Sequence, residues 1–451
     1  MTPKAPRTPA GPTERRVSKM TVPEALRVAM QMHQQGSLTE AEALYERVLA
    51  VEPEHPDVLH FFGILKHQSG HTEEGIAMIR RAVERVPDYA DAHNNLGNVL
   101  KESGATDEAE AAYRAVIDLN DEHADAHSNL AIILKATGRL AEAEKHCRRA
   151  VALQPQHADA LINLSDILDR TGDRAEALNV AQQAMEHCGD RPETFANLAR
   201  ALAHAGRIDE ARDVVERWLR FRPNDEVALH MKAAYAGGAT PERASDAYVK
   251  RTFDEFASTY DTVLENIENR GPKLMHEAVV AVCGEPGGEL RVLDAGCGTG
   301  LCGPDLARYA KRLVGVDLSP KMLERAAKRN CYDALDAVEL VSYLEATEER
   351  FDLVICADTL VYFGDLAPFM RATAARLAPG GTLIFSVEDG TGVLDDAPFD
   401  ITSSGRYCHA EDYVREVLDQ AGFALGALSR ETMRKEFGRP VSACIVRATL
   451  P

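Results

Sequence analysis

The sequence has no apolar run near the roughly 20 residues a helix needs to cross a bilayer, so no membrane-spanning helix is expected. It has no C-x-x-C pair. Its nine cysteines are scattered singly, and Cys297 and Cys302 are joined by no His or Cys cluster that would complete a metal site. No metal is therefore expected, and free thiols suit a reducing, cytoplasmic setting. The body of the chain has no Lys- or Arg-rich run, and the formal net charge is −20. Such a chain repels phosphate backbones, which argues against nucleic acid as a partner. The first residues lack the apolar stretch of a secretory signal. Pro3, Pro6, Pro9 and Pro12, with Lys4, Arg7, Arg15, Arg16 and Lys19, read instead as a disordered basic tail over 1–21.

What the chain does have is length for two or more domains, and a strict period. Gly36, Gly70, Gly104, Gly138, Gly172 and Gly206 stand 34 residues apart. Pro53, Pro87, Pro155 and Pro223 keep the same frame, as do the small residues Ala41, Gly75, Ala109, Ala143, Ala177 and Ala211. An apolar position recurs as Val28, Phe62, Leu96, Leu130, Leu164 and Leu198. Each unit reads as two amphipathic helices around a glycine turn, closed by a helix breaker. The pattern resembles the tetratricopeptide repeat, six units over 22–225, which implies an all-α superhelix. A closing helix at 226–238 is expected to cap the stack.

One column in the repeats exceeds what packing asks for: Asn95, Asn129, Asn163 and Asn197. An amide side chain offers a donor and an acceptor, so it can pair with any peptide unit. These segments are similar to the repeats of protein O-linked N-acetylglucosamine transferase, where such a ladder holds an extended peptide. The resemblance implies a peptide or protein in the repeat groove. The alternative is that the asparagines stitch neighbouring helices. A second column, Asp57, Asp91, Asp125, Asp159 and Glu193, suits helix dipoles and mildly favours a basic peptide.

The stretch Val292-Leu293-Asp294-Ala295-Gly296-Cys297-Gly298-Thr299-Gly300 reads as a buried strand running into a glycine loop. A helix then opens at Pro304, and a second strand, Leu313 to Asp317, ends in an acid. That order places a carboxylate beside a loop whose backbone can approach a ligand, where it can hold both hydroxyls of a ribose. The glycine spacing differs from G-x-G-x-x-G, and the sequence resembles a class I S-adenosylmethionine-dependent methyltransferase from about Tyr248 to Val446. The resemblance implies a Rossmann-like α/β domain of seven strands over 283–451. It implies S-adenosylmethionine bound by Asp294, Gly296, Cys297, Gly298, Gly300, Asp317, Leu318, Met322, Glu339, Leu340 and Asp358, and released as S-adenosylhomocysteine. The segment 239–282 is then a helical connector and lid, with Phe253-Asp254-Glu255-Phe256-Ala257-Ser258-Thr259-Tyr260-Asp261 across the cofactor mouth and Tyr248 and Phe253 on the cofactor.

Strands are expected at Ala337–Leu340, Phe351–Ala357, Thr382–Val387, Phe423–Leu428 and Val441–Val446, and one helix over Ala247–Leu264. Methyl transfer from a sulfonium needs the nucleophile in line and water excluded, with a base only when the nucleophile carries a proton. Candidates at the mouth are Asp358, Glu388, Tyr407 and His409, the last read as a polar-loop histidine able to titrate near neutral pH. Three functions compete: methylation of a captured peptide or protein, methylation of a small natural-product or cofactor precursor with the repeats docking a carrier, and a non-enzymatic scaffold.

Overall fold

The computed structural model describes residues 20–235, 240–394, 396–436 and 439–451. All but the last two residues of the expected basic tail lie outside these. The chain divides into two compact units, one of residues up to 133 with 149–155, the other of 134–148 with 156–451.

The 34-residue period becomes six helix pairs: α1 (Val22–Gln34) with α2 (Leu38–Leu49), α3 (Pro56–Gln68) with α4 (Thr72–Arg85), and α5 (Ala90–Glu102) with α6 (Thr106–Leu119). Then come α7 (Ala124–Ala136) with α8 (Leu140–Leu153), α9 (Ala158–Thr171) with α10 (Arg174–Cys188), and α11 (Pro192–His204) with α12 (Ile208–Phe221). All six turn glycines lie at φ between 75° and 96°, a region that a Cβ disfavours. The alanines at 41, 109, 143, 177 and 211 are fully buried where paired helices touch, and Phe62, Leu96, Leu130, Leu164 and Leu198 fill the seams. Helix α13 (Glu226–Tyr235) follows.

Three helices lead into the α/β part: α14 (Asp246–Phe256), α15 (Tyr260–Asn266) and α16 (Gly271–Cys283). The single helix expected over Ala247–Leu264 is broken at 257–259. There follow β1 (Leu290–Ala295), α17 (Gly303–Ala307), β2 (Ala310–Asp317), α18 (Pro320–Ala327), β3 (Ala334–Ala337), α19 (Leu340–Ala346) and β4 (Phe351–Cys356). The chain ends with α20 (Ala367–Arg376), β5 (Leu377–Asp389), β6 (Phe399–Ile401), β7 (Tyr407–His409), α21 (Glu411–Gln420), β8 (Ala424–Glu436) and β9 (Arg439–Thr449).

The sheet runs β3-β2-β1-β4-β5-β7-β6, with β9 antiparallel to β5 and β8 antiparallel to β9. Neighbours from β3 to β5 are parallel. Both faces of β1 are buried: Val292 packs in one core with Leu353 and Ile384, and Leu293 in another with Val354 and Phe385. This is why the strand reads as a continuous apolar run.

Among the described residues nine strands replace the seven expected. The two additions, β6 and β7, are three residues each and sit past the carboxyl end of β4, where β7 pairs Glu388 and Asp389 of β5. The third strand ends at Ala337, three residues before the expected Leu340. Glu339 stops it by capping α19, its carboxylate accepting from the amides of Val341 and Ser342.

Candidate functional site

At the carboxyl end of β1 the loop takes φ values of 74°, 55° and 78° at Gly296, Gly298 and Gly300. Gly298 faces the open cleft: a Cβ there would meet only the Tyr260 ring, 3.9 Å away. At Gly300 a Cβ would strike the Tyr332 ring at 2.9 Å, so glycine is demanded there by packing. Asp317, ending β2, accepts the Gly298 amide on one carboxylate oxygen at 2.9 Å and the Ser319 amide on the other at 2.8 Å. The carboxylate is thereby fixed beside the loop. Burial pushes its carboxyl up, and the Ser319 and Gly298 amides pull it partly back.

Gly296, Gly298, Asp317, Leu318, Met322, Glu339, Leu340, Phe253 and Asp358 line one cleft, with Val338 extending its apolar wall. Asp294 and Cys297 line a smaller recess behind the loop. There Asp294 accepts the Tyr332 hydroxyl at 2.6 Å, and burial pushes its pKa up to about 6. Tyr248 departs from its expected place. It does not line the cleft, because its ring stacks on His230 of α13 with centroids 3.8 Å apart. Glu339 is taken up by its capping bonds and by Arg243, at 2.7 Å.

The residues around α14 and α15 are tied to both loops of the cleft. Asp254 accepts the Ser319 hydroxyl at 2.6 Å. Asp261 accepts the Thr299 hydroxyl and the Arg329 guanidinium, the latter at 2.7 Å. Phe253 stands edge-on to Tyr260 and Tyr362.

A second cavity, of about 540 Å³, shares the walls Phe253, Tyr260, Asp358 and Tyr362 with the cleft. Its far wall comes from repeat residues Lys135, Gly138, Leu140 and Arg170, which belong to the same compact unit as the α/β part. Gly138 is pressed against α15: a Cβ there would lie 1.7 Å from the Asn266 amide nitrogen. Sequence reasoning missed Lys135, Arg170, Arg406 and Arg434, which all line this cavity. Arg434 is 3 % exposed and ion-paired with Asp358, Glu388 and Glu436 at 3.1, 2.8 and 2.7 Å. Asp358 itself has φ of 50°, uncommon for a residue with a side chain, and its amide donates to the Ser386 hydroxyl at 2.8 Å.

His409 and Tyr407 line neither cavity, which corrects their expected catalytic role. They lie in β7 and not in a polar loop. His409 is 1 % exposed, with Nε2 donating to the Gly364 carbonyl at 3.1 Å, and burial pulls its pKa down to about 4. Tyr407 is fully buried, its hydroxyl without a hydrogen-bond partner, and burial raises its pKa to about 12. Neither can meet an acceptor without the fold opening.

In the first compact unit, Asn95 contacts His60 Nε2 at 2.9 Å and Asn129 donates to Asn94 at 3.4 Å. In the second, Asn197 donates to the Ile162 carbonyl at 2.9 Å. Each of these three reaches 35 residues back. Asn163 is 8 % exposed, accepting from Lys135 at 2.7 Å and donating to the Asp159 carbonyl at 2.8 Å. The column makes the stitching contacts that were the alternative to a ladder. Asp159 of the acidic column is paired with Arg191 at 2.9 Å.

No described helix is long and apolar enough to cross a membrane. Among the described residues no group of three or more His, Cys, Asp or Glu could hold a metal ion.

Fold and site together define repeats followed by a class I methyltransferase domain. Residues 293–385 match the family model described as a methyltransferase domain, and tetratricopeptide-repeat models match 32–99, 90–123, 122–190 and 170–235. The chain thus carries tetratricopeptide repeats and a class I methyltransferase domain.

Among known proteins it is similar to the ubiquinone biosynthesis O-methyltransferase of Methylobacterium sp. (strain 4-46), 35% identical over 101 residues, 22% of this chain and 40% of that one. The protein of the same name from Xanthomonas axonopodis pv. citri is 34% identical over 111 residues, 24% of this chain and 46% of that one. The chain thus spans less than half the length of these curated relatives. Among solved structures, Pseudomonas aeruginosa pilF aligns over 47% of this chain and 96% of its own, at 15% identity and a TM-score of 0.44. The magnesium protoporphyrin IX methyltransferase of Synechocystis PCC 6803 aligns over 46% and 100%, at 19% identity and a TM-score of 0.35.

Proposed function

We propose that the chain transfers a methyl group from S-adenosylmethionine to a peptide or protein that the repeats present to the second cavity. The observation that carries this reading is the pair of cavities meeting at Phe253, Tyr260, Asp358 and Tyr362, one built on the glycine loop and Asp317, the other walled in part by repeat residues.

The bare backbone at Gly298 and the fixed carboxylate of Asp317 fit an adenosyl ligand: the first leaves room for close approach, the second offers lone pairs to ribose hydroxyls. Leu318, Met322, Val338 and Leu340 supply an apolar wall for a flat base. When bound, this donor supplies a methyl group already activated by a sulfonium charge. The chain's own part is position and dryness. Phe253, Tyr260 and Tyr362 exclude water where the cavities join, and the bonds of Asp254 and Asp261 hold α14 and α15 there as a lid. Burial raises the hydroxyls of Tyr260 and Tyr362 above their usual range, so both remain protonated. Asp358 is left as the carboxylate at the junction, held by Arg434, and takes the proton from an acceptor that carries one.

Tetratricopeptide repeats as a class bind proteins, which supports a peptide or protein as the acceptor. A small acceptor is the second reading, favoured by the likeness to ubiquinone biosynthesis O-methyltransferases and by the aromatic walls of the cavity. Nine free cysteines fit a cytoplasmic setting.

The test is calorimetry with S-adenosylhomocysteine on the full chain and on Asp317→Ala, followed by mass spectrometry of a labelled-donor reaction in cell lysate. Tight binding lost in the variant, and label appearing on a protein, are the expected results. Absence of binding defeats the methyl-transfer reading. Label found only on small molecules moves the conclusion to the second.

A further inference from the structure

The second cavity is unlike the chain as a whole. The sequence carries a net charge of −20, yet five cationic side chains line this space against three carboxylates. The charges are also sorted. At the methyltransferase side, two guanidiniums, Arg434 and Arg406, share the three carboxylates of Asp358, Glu388 and Glu436, while Lys435 is paired with Glu268 at 2.8 Å. At the repeat side the arrangement is inverted: the carboxylate of Asp166 is met by Lys135 at 3.1 Å, Arg170 at 3.1 Å and Arg200 at 2.6 Å. Burial opposes ionisation of Asp166, but the fields of Lys135, Arg170 and Arg200 outweigh it and hold its carboxyl well below the usual range. Asp169 adds a second carboxylate, paired with Arg200. Three cations thus face two anions, and the two cations on the cavity wall, Lys135 and Arg170, keep part of their side chains open. Between the two ends the walls are aromatic, with Tyr248, Phe253, Phe256 and Tyr260.

We infer that this cavity takes an acceptor with a flat apolar body and a carboxylate, which docks on Lys135 and Arg170 of the repeats. This rests on the methyl-transfer reading and deepens it: the repeats supply part of the acceptor's specificity directly. The orientation follows from the sorted charge. The anionic end lies toward the repeats, and the end to be methylated lies toward Asp358, where three carboxylates outnumber the guanidiniums of Arg406 and Arg434. The expected basic peptide is replaced by an acidic acceptor, since the acid column of the repeats does not line this cavity.

The test uses the full chain loaded with S-adenosylhomocysteine and two matched pairs of probes. One pair is 3,4-dihydroxybenzoate and 3,4-dihydroxybenzamide. The other is acetyl-Glu-Tyr-Glu-amide and acetyl-Gln-Tyr-Gln-amide. Binding is measured calorimetrically for the unaltered chain, for Arg170→Gln, which keeps a polar group near Asp166, and for Lys135→Met. The charged member of one pair is expected to bind about 10-fold tighter than its neutral twin, with the preference falling to about 3-fold or less in both variants while affinity for S-adenosylhomocysteine is retained. The pair that shows this names the source as a small acid or a peptide. Equal binding of the twins, binding of none of the four, or a preference that survives both substitutions overturns the inference. Failure of S-adenosylhomocysteine to bind overturns the methyl-transfer reading instead.

Discussion

Two buried ion clusters border the same cavity and are charge inverses of one another. In one, two guanidiniums, Arg434 and Arg406, share the three carboxylates of Asp358, Glu388 and Glu436. In the other, two carboxylates, Asp166 and Asp169, share three cations, Lys135, Arg170 and Arg200. Their exposure differs. Around Arg434, Asp358, Glu388 and Glu436 are 22 %, 13 % and 22 % exposed, whereas around Asp166, Lys135, Arg170 and Arg200 are 22 %, 40 % and 33 % exposed. A central charge with the more enclosed partners is a structural keystone. One whose partners reach water keeps field to spare for a ligand. The sheet end of the cavity is therefore built for rigidity and the repeat end for recognition.

Substitutions at the two centres should separate these roles. Arg434→Met leaves Asp358 without its cation, and Glu388 and Glu436 with Arg406 alone, in a desolvated corner, and should cost roughly 3–5 kcal/mol in urea unfolding. Equal stability of this variant and the unaltered chain would remove the keystone role. The next effect in size is on pH. Unfolded, His409 takes up a proton below about pH 6.5, whereas in the fold burial holds its pKa near 4. Protons therefore favour the unfolded chain between these values, and the stability tied to this group is lost as pH falls through that window. By pH 5 the loss is roughly 2 kcal/mol, and a His409→Gln chain should lack this share of the decline. His60 in the first unit, also lowered to about 4 by burial, supplies a like share that persists in that variant. An identical pH profile for both chains would contradict the placement of His409.

Asp166→Asn should be milder than Arg434→Met, roughly 1–2 kcal/mol, because its partners can turn toward water. A loss as large as that of Arg434→Met would erase the contrast between the clusters. The smallest contrast lies among the repeat turns. Gly104→Ala and Gly138→Ala each force a Cβ into positive φ, costing about 1 kcal/mol. Only Gly138→Ala also displaces Asn266 from beside α15, so it alone should lower turnover in a labelled-donor assay. Equal activity of the two variants would uncouple the fourth turn from the lid.

Much of this was legible in the sequence because it is local and periodic. Glycine every 34 residues announces six turns, and a strand, a glycine loop and a strand-terminal acid announce the cleft around Gly298 and Asp317. The second cavity was not legible. Lys135, Arg170, Arg406 and Arg434 are brought together from about 300 residues of chain by packing, and no spacing encodes them. Tyr407 and His409 misled because a three-residue strand is too short to show alternation, and its neighbours Arg406 and Gly405 suggested an exposed turn. Glu339 lines the cleft, but its capping of α19 was not legible, because a helix-capping carboxylate and a ligand-binding one look alike in sequence.

His230 of α13 donates its Nε2 proton to the Gly405 carbonyl at 2.7 Å, in addition to its stack on Tyr248. The helix that closes the repeats is therefore not a detachable handle. A protein severed ahead of residue 240 would bare a tyrosine face and orphan a carbonyl, so the catalytic half is a poor candidate for life alone. Swapping in another repeat array would transplant function only if the graft carried a matching imidazole and aromatic seat.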